Sequence, residues 1–268
     1  MNLNDLLARQ FNFPSIPRVV ALLLNALDQP EVDLQRVSQL TSTDPALTTG
    51  LLRLANDDFF KLCGKINSVS EALALLSLEQ VRQMAREAAA TASLKAVPGI
   101  NLQHFWDYSL NTAKVSRSLA GVVRQNQQAA FTAGLIHAFG ELVMHLAMPQ
   151  EIAQLSDHCG PLDLRRASAE RATFGFTYAN VGAGLARMWR FPQILLEALE
   201  YQCAPFEDDV YEPLAGVVHL ASWRARAKEA GLTEKGLAVT FPGSVGLALG
   251  LDIDMVLQQD PFDWSAYA

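Results

Sequence analysis

Apolar residues return at a helical period along nearly the whole chain, and no window shows the strict alternation of a half-buried strand. Stripes of that kind are buried only by packing helix on helix, so the reading is all-α. Leu47, Leu51 and Leu54 form one such stripe, behind Asp44-Pro45, which supplies a carboxylate N-cap and a proline at the first helical position. Ser68-Val69-Ser70-Glu71 and Ser77-Leu78-Glu79-Gln80 each have the form of a capping box. The second opens a helix to about Ala96, where Val97-Pro98-Gly99 stops it. Asn101 caps a helix ending near Arg124, and further helices are expected over 128–147, 149–157, 163–174, 178–190, 192–203 and 213–230. Phe206 to Glu212, with four acids, reads as a solvated loop.

Two packed helical lobes follow: an N-terminal lobe over 1–97 and a second over 98–230, with a short, irregular closure over 231–268. Phe262, Trp264 and Tyr267 predict that the last residues dock on the body. Hydrophobic residues make up 50 % of the 268-residue chain and charged residues 18 %, which supplies a full core and excludes disorder over most of the length. The longest apolar runs, such as Val19 to Leu24, are far short of the roughly 20 residues that cross a bilayer. The first residues carry no signal-peptide pattern, so a cytoplasmic location is expected. Cys63, Cys159 and Cys203 are far apart and give neither a disulfide framework nor a zinc pattern. A net charge of -7 without a basic run argues against nucleic acid and anionic membranes as partners.

Three segments carry a more specific pattern. Phe13-Pro14-Ser15-Ile16-Pro17 opens it, Thr43 to Asn56 with Asp44-Pro45 forms its middle, and Ile66 to Leu76 closes it. In order and spacing they resemble the HDOD domain, the HD-related output domain of bacterial signalling proteins. Asp57 and Ser77 depart from it, standing where the family usually has Ser and Gly. The resemblance continues through Phe131 to His137 and Tyr178 to Ala183 and ends with Leu214 to Ser222, covering about 11–225.

The resemblance implies a second lobe similar to the HD phosphohydrolase fold, whose hydrolytic members hold metal with His and Asp ligands. Carried over position by position, those ligands fall on Tyr108, His137, Ala138, Tyr178, Gln202, Cys203 and Ser222. Only His137 is retained, and one imidazole without carboxylate oxygen does not make a site for a hard divalent metal. No metal and no other cofactor is therefore expected, and the former ligand positions become candidates for a degenerate cavity.

Other motifs read as structural. His137 is taken as a core or pocket hydrogen-bonding residue, with ligand contact the alternative, and Gly140 as a possible break before His145. Gly182-Ala183-Gly184 lies in a helical pattern and reads as a close-packing site; Cys203 reads as a buried, inert thiol. Arg224, Arg226 and Lys228 read as a solvated helix face, with Arg226 turned away from the other two.

Three functions of different class remain. The leading one is a non-catalytic signalling module that binds a protein partner; the family resemblance implies receiver-domain or GGDEF-type proteins and a link to cyclic-di-GMP or two-component signalling. With no room in this chain for an attached enzymatic domain, it would act in trans. The others are a sensor whose degenerate cavity takes an uncharged or nucleotide-like small molecule, and a diverged phosphohydrolase built around His137. Asp57, Asp58, Phe59 and Phe60 are candidates for the edge of a partner-binding groove between the lobes.

Overall fold

Oxygen-bearing side chains stand at most helix starts of the computed structural model, which describes residues 2–9, 11, 13–57, 64–92, 97–206 and 211–259. The N-terminal helices are α1 (Leu3–Leu7), α2 (Pro17–Leu27), α3 (Leu34–Thr41), α4 (Pro45–Ala55), α5 (Val69–Leu75) and α6 (Leu78–Ala92). Asn2, Asp33, Asp44 and Ser68 accept backbone N–H groups at the starts of α1, α3, α4 and α5. At α6 the Ser77 Oγ accepts the Gln80 N–H while Gln80 Oε1 accepts the Ser77 N–H, the reciprocal box read from sequence. Leu47 and Leu51 are buried with Val20, Leu23, Leu27, Val37 and Val81, which closes one core among α2 to α6.

The second lobe holds α7 (Leu102–Val122), α8 (Gln127–Ile136), α9 (Phe139–Ala147), α10 (Pro149–Ser156), α11 (Arg166–Phe174), α12 (Tyr178–Met188), α13 (Gln193–Tyr201) and α14 (Pro213–Glu229). α7 packs along α8 and α14, α9 crosses α12, and α13 lies between α12 and α14. The lobes meet where α4 packs on α7 and α8, with Leu52 entering the larger core. Among the described residues there is no strand, and the chain is about 70 % helical.

Three expectations need correction. The helix expected over 128–147 is two, α8 and α9, parted at His137-Ala138. Gly140 is not the break. It lies inside α9, where a Cβ would stand 2.0 Å from the Tyr178 carbonyl oxygen, so its bareness lets α9 and α12 touch backbone to backbone. Residues 234–258 form three short helices instead of an irregular segment: α15 (Glu234–Thr240), α16 (Gly243–Leu249) and α17 (Ile253–Gln258). Thr233 and Asp252 cap two of them, and Val245, Leu251 and Val256 join the larger core. Phe262, Trp264 and Tyr267 lie outside the described residues.

By length and composition Gln127–Ala147 could cross a membrane, but 89 % of its most apolar window is buried inside the fold. Its apolarity follows from α8 and α9 occupying the centre of the lobe.

Candidate functional site

The break between α8 and α9 sets the site. His137 caps the end of α8, fully buried, and its Nδ1–H donates to the Gly134 carbonyl at 2.7 Å. That bond fixes the tautomer, so Nε2 carries the lone pair and accepts the Tyr108 hydroxyl from α7 at 2.8 Å. Burial, then the nearby Arg226 cation, pushes the His137 pKa down to about 3, so the ring stays neutral.

Arg226 on α14 organises the rest. Its Nε donates to the Tyr108 oxygen at 2.9 Å and its Nη2 to the Tyr178 hydroxyl at 3.2 Å, and Nη1 lies 3.4 Å from the Asp163 carbonyl oxygen. The guanidinium carbon is 5.6 Å and 5.5 Å from the two tyrosine ring centroids. The residue is 6 % exposed, so the solvated face expected of it is overturned. Ala225 and Ala227 beside it are buried, and this face of α14 lies against α7. Lys228 is exposed as expected and Arg224 is half-buried.

Gln202 ends α13 with its Nε2 donating to the His137 and Leu199 carbonyls, both at 3.0 Å. Its own carbonyl accepts the His219 Nδ1–H at 2.7 Å, and Ser222 Oγ donates to the His219 carbonyl. Cys203 is half-buried where the sequence suggested a buried residue, but desolvation pushes its thiol up to about 11, which makes it a poor nucleophile. Tyr178, Gln202, Cys203, His219, Ser222 and Arg226 line a cavity of about 230 Å³, closed on other sides by Leu164, Ala167, Trp223, Thr240 and Pro242.

Of the seven sequence candidates, the structure thus brings Tyr178, Gln202, Cys203 and Ser222 to this cavity. Tyr108 and His137 stand behind it through Arg226 and Gln202. Ala138 does not line it and packs in an apolar cluster with Tyr108, Phe105, Leu142 and Ala225. Asp57 is exposed on the rim of a separate groove of about 500 Å³ between the end of α4 and the end of α12, with Arg53, Trp189 and Arg190. Asp58, Phe59 and Phe60 lie outside the described residues.

Sequence reading missed a second buried polar group. Arg166 is fully buried, with Nη2 2.7 Å from Glu141 and Nε 2.8 Å from Glu170. Its Nη1 donates to the Cys159 carbonyl, and His145 lies 3.3 Å from the same Glu141 oxygen. Burial and the adjacent Glu141 carboxylate hold Glu170 well above the usual carboxylate range. The available signal was an acid and a histidine, Glu141 and His145, inside the most apolar stretch of the chain.

This helical arrangement, with a polar centre where α7, α8, α12 and α14 converge, defines an HD-type fold. The chain belongs to the HDOD family: the HDOD domain profile matches residues 13–205. The structure of the response regulator MmoQ from Methylococcus capsulatus str. Bath is similar, with TM-score 0.71 and 25 % identity, over 92 % of this chain and 96 % of that one. A Shewanella amazonensis protein provisionally named a phosphohydrolase shares the fold at TM-score 0.55 and 23 % identity, over 96 % and 92 % of the two chains. An uncharacterized protein of Treponema pallidum (strain Nichols) is 24 % identical over 218 residues, which cover 80 % of this chain and 42 % of that protein.

HD-type relatives imply a metal, and the residues here do not fit one. The Nε2 lone pair of His137 is taken by Tyr108, Ala138 brings no donor, and a buried guanidinium stands among the remaining positions. Among the described residues no three His, Cys, Asp or Glu side chains are grouped for a metal. The Arg226 cation at the centre repels another cation.

Proposed function

We propose that the chain is a non-catalytic signal-transduction module that acts by binding a protein partner. The observation that carries this reading is the Arg226–Tyr108–His137 relay, which consumes the one retained ligand position in hydrogen bonds internal to the fold. Likeness to a response regulator supports a signalling setting, and receiver-domain or GGDEF-type proteins are the partner classes to test first. A net charge of -7 favours basic or neutral partner surfaces, with binding to basic ones weakening as salt rises.

The first test is metal analysis of the purified protein with phosphodiester cleavage assays in added manganese, iron or nickel. The expected result is substoichiometric metal and no metal-stimulated cleavage. One tightly bound equivalent per chain, lost in His137→Ala, would overturn the non-catalytic reading. Partner capture with Asp57→Lys then tests the groove edge: unchanged affinity in a folded variant removes Asp57 from the interface.

The roughly 230 Å³ cavity favours a second reading, a small-ligand sensor whose occupancy alters partner binding.

A further inference from the structure

Arg226 carries a permanent charge inside the fold, and no carboxylate pairs with it among the described residues. The acids that stand near are engaged elsewhere. Asp163 offers Arg226 only its backbone oxygen, because its carboxylate binds the Arg165 side chain at 3.1 and 3.2 Å. Glu141 is 2.7 Å from Arg166, and Glu170 is bonded to Arg166 and to the Tyr178 N–H. The groups that do touch Arg226 are two neutral hydroxyls and one carbonyl, which solvate a cation without neutralising it. A buried charge is retained in proteins when it is paired, and this one lies on the wall of a cavity.

Gln202, which also lines the cavity, carries a second unsatisfied group. Gln202 is 2 % exposed, and because its Nε2 donates to two carbonyls, its Oε1 is the free end of the amide. That oxygen is buried without a hydrogen-bond donor. Buried acceptors of this kind are normally satisfied. His219, half-buried on the same wall, commits Nδ1 to the Gln202 carbonyl and has no protein partner at Nε2 among the described residues.

We infer that the cavity between α11, α12, α13 and α14 binds a small oxyanion that also carries a hydroxyl or amine donor, the anion facing Arg226 and the donor satisfying Gln202 Oε1. Hydrogen phosphate, a hydroxy acid and an amino acid share that chemistry. The volume of about 230 Å³ lies below the range of drug-sized sites, about 300–1,000 Å³, so the ligand is smaller than a dinucleotide. The inference rests on the ligand-sensor reading and narrows it. The uncharged ligand allowed by the sequence does not answer the charge of Arg226.

The test is an NMR titration of the His219 imidazole with three probes at matched ionic strength in chloride: inorganic phosphate, acetate and acetamide. Phosphate offers both charge and donor, acetate only charge, acetamide only a donor. The expected result is saturable movement of the His219 signals with phosphate at about tenfold lower concentration than with acetate, and none with acetamide. Arg226→Met should weaken phosphate at least tenfold. Should that variant fail to fold, Ser222→Leu decides, since it fills the cavity from α14 and should abolish saturation with the Arg226 network in place. Saturation by acetamide alone would overturn the anion assignment and leave the sensor reading standing. Saturation by none of the three, or phosphate binding unchanged in a folded Ser222→Leu, would overturn the inference, and partner capture would still report on the signalling module.

Discussion

Replacing Asp44 should cost far more than a helix cap is worth. Sequence reading gives Asp44→Ala a loss of about 1 kcal/mol, within the usual range of roughly 0.5–2 for a cap. In the structure Asp44 is fully buried and its two oxygens do different work. Oδ1 accepts the Ala46 and Leu47 N–H groups at 2.8 and 2.9 Å, which is the cap. Oδ2 accepts the Ile16 N–H at 2.5 Å, which ties the segment before α2 to the start of α4. Removing that acceptor strands the part-buried Ile16 donor, at a cost of about 1–3 kcal/mol. The sum for Asp44→Ala is about 2–4 kcal/mol, roughly 4–8 °C in Tm for a chain of this size. Asp44→Asn separates the parts, because its oxygen can keep the cap while its NH₂ faces the Ile16 N–H and breaks the second bond. Urea denaturation at pH 7 should therefore show Asn losing about 1–3 kcal/mol and Ala losing more. An Asn variant as stable as wild type, or an Ala variant within 1 kcal/mol of it, would show that the Ile16 bond contributes nothing.

Further outcomes follow from other buried groups. His137 stays neutral down to about pH 3, while the unfolded chain protonates it near 6.5. Its share of stability is present above pH 6.5 and is lost as pH falls toward 3; His137→Asn should therefore flatten the stability slope between pH 4 and 6 by about 1.4 kcal/mol per pH unit, measured by chemical denaturation in a pH series. Gly140→Ala, whose Cβ would meet backbone at 2.0 Å, should lose the cooperative thermal transition, whereas Gly182→Ala, with nothing nearer than 3.8 Å, should stay within about 1 kcal/mol. Equal behaviour of the two would refute the backbone contact between α9 and α12. Arg166→Met should cost about 3–5 kcal/mol in urea denaturation at pH 7, because it leaves Glu141 and Glu170 buried without their cation; a loss below about 1 kcal/mol would show that the arginine is not what stabilises them.

Much of this fold is legible in the sequence because helix ends and apolar stripes are local signals. Asp44, Ser77, Asn101 and Pro213 mark their helix starts within a residue, since a cap needs only its own side chain and the next three N–H groups. The short helices after Gly231 were less legible, because seven residues give barely two turns of periodicity and their glycines read as breakers. The resemblance named Tyr108, His137, Tyr178, Gln202, Cys203 and Ser222, but pairing and charge in the site depend on residues far apart in the chain. Arg226 illustrates this. An arginine two residues after Arg224 and two before Lys228 looks solvated until α7 and α12 bring Tyr108 and Tyr178 to it from 118 and 48 residues away. Glu141 and Arg166 escaped notice for the same reason, being 25 positions apart and joined only when α9 meets α11.

The same positions tie the helices of the lobe together through side chains alone. A divalent ion in an HD-type site would draw ligands from several helices to one point, and removing it leaves those helix ends without a common partner. Here a guanidinium does that work from within the chain: Arg226 on α14 holds Tyr108 on α7, Tyr178 at the start of α12 and, through Tyr108, His137 between α8 and α9. The two assemblies differ in what they can exchange. A metal can leave and a metal-bound water can react, whereas the arginine is covalently fixed and has no ionisable proton near neutral pH. It can, however, pair with an anion that enters the cavity. The proposed anion would act on Tyr108 and Tyr178 together, because Arg226 bonds both and they stand on α7 and α12. Under the proposed sensor reading, that coupling is the route by which occupancy of the cavity would reach a partner surface.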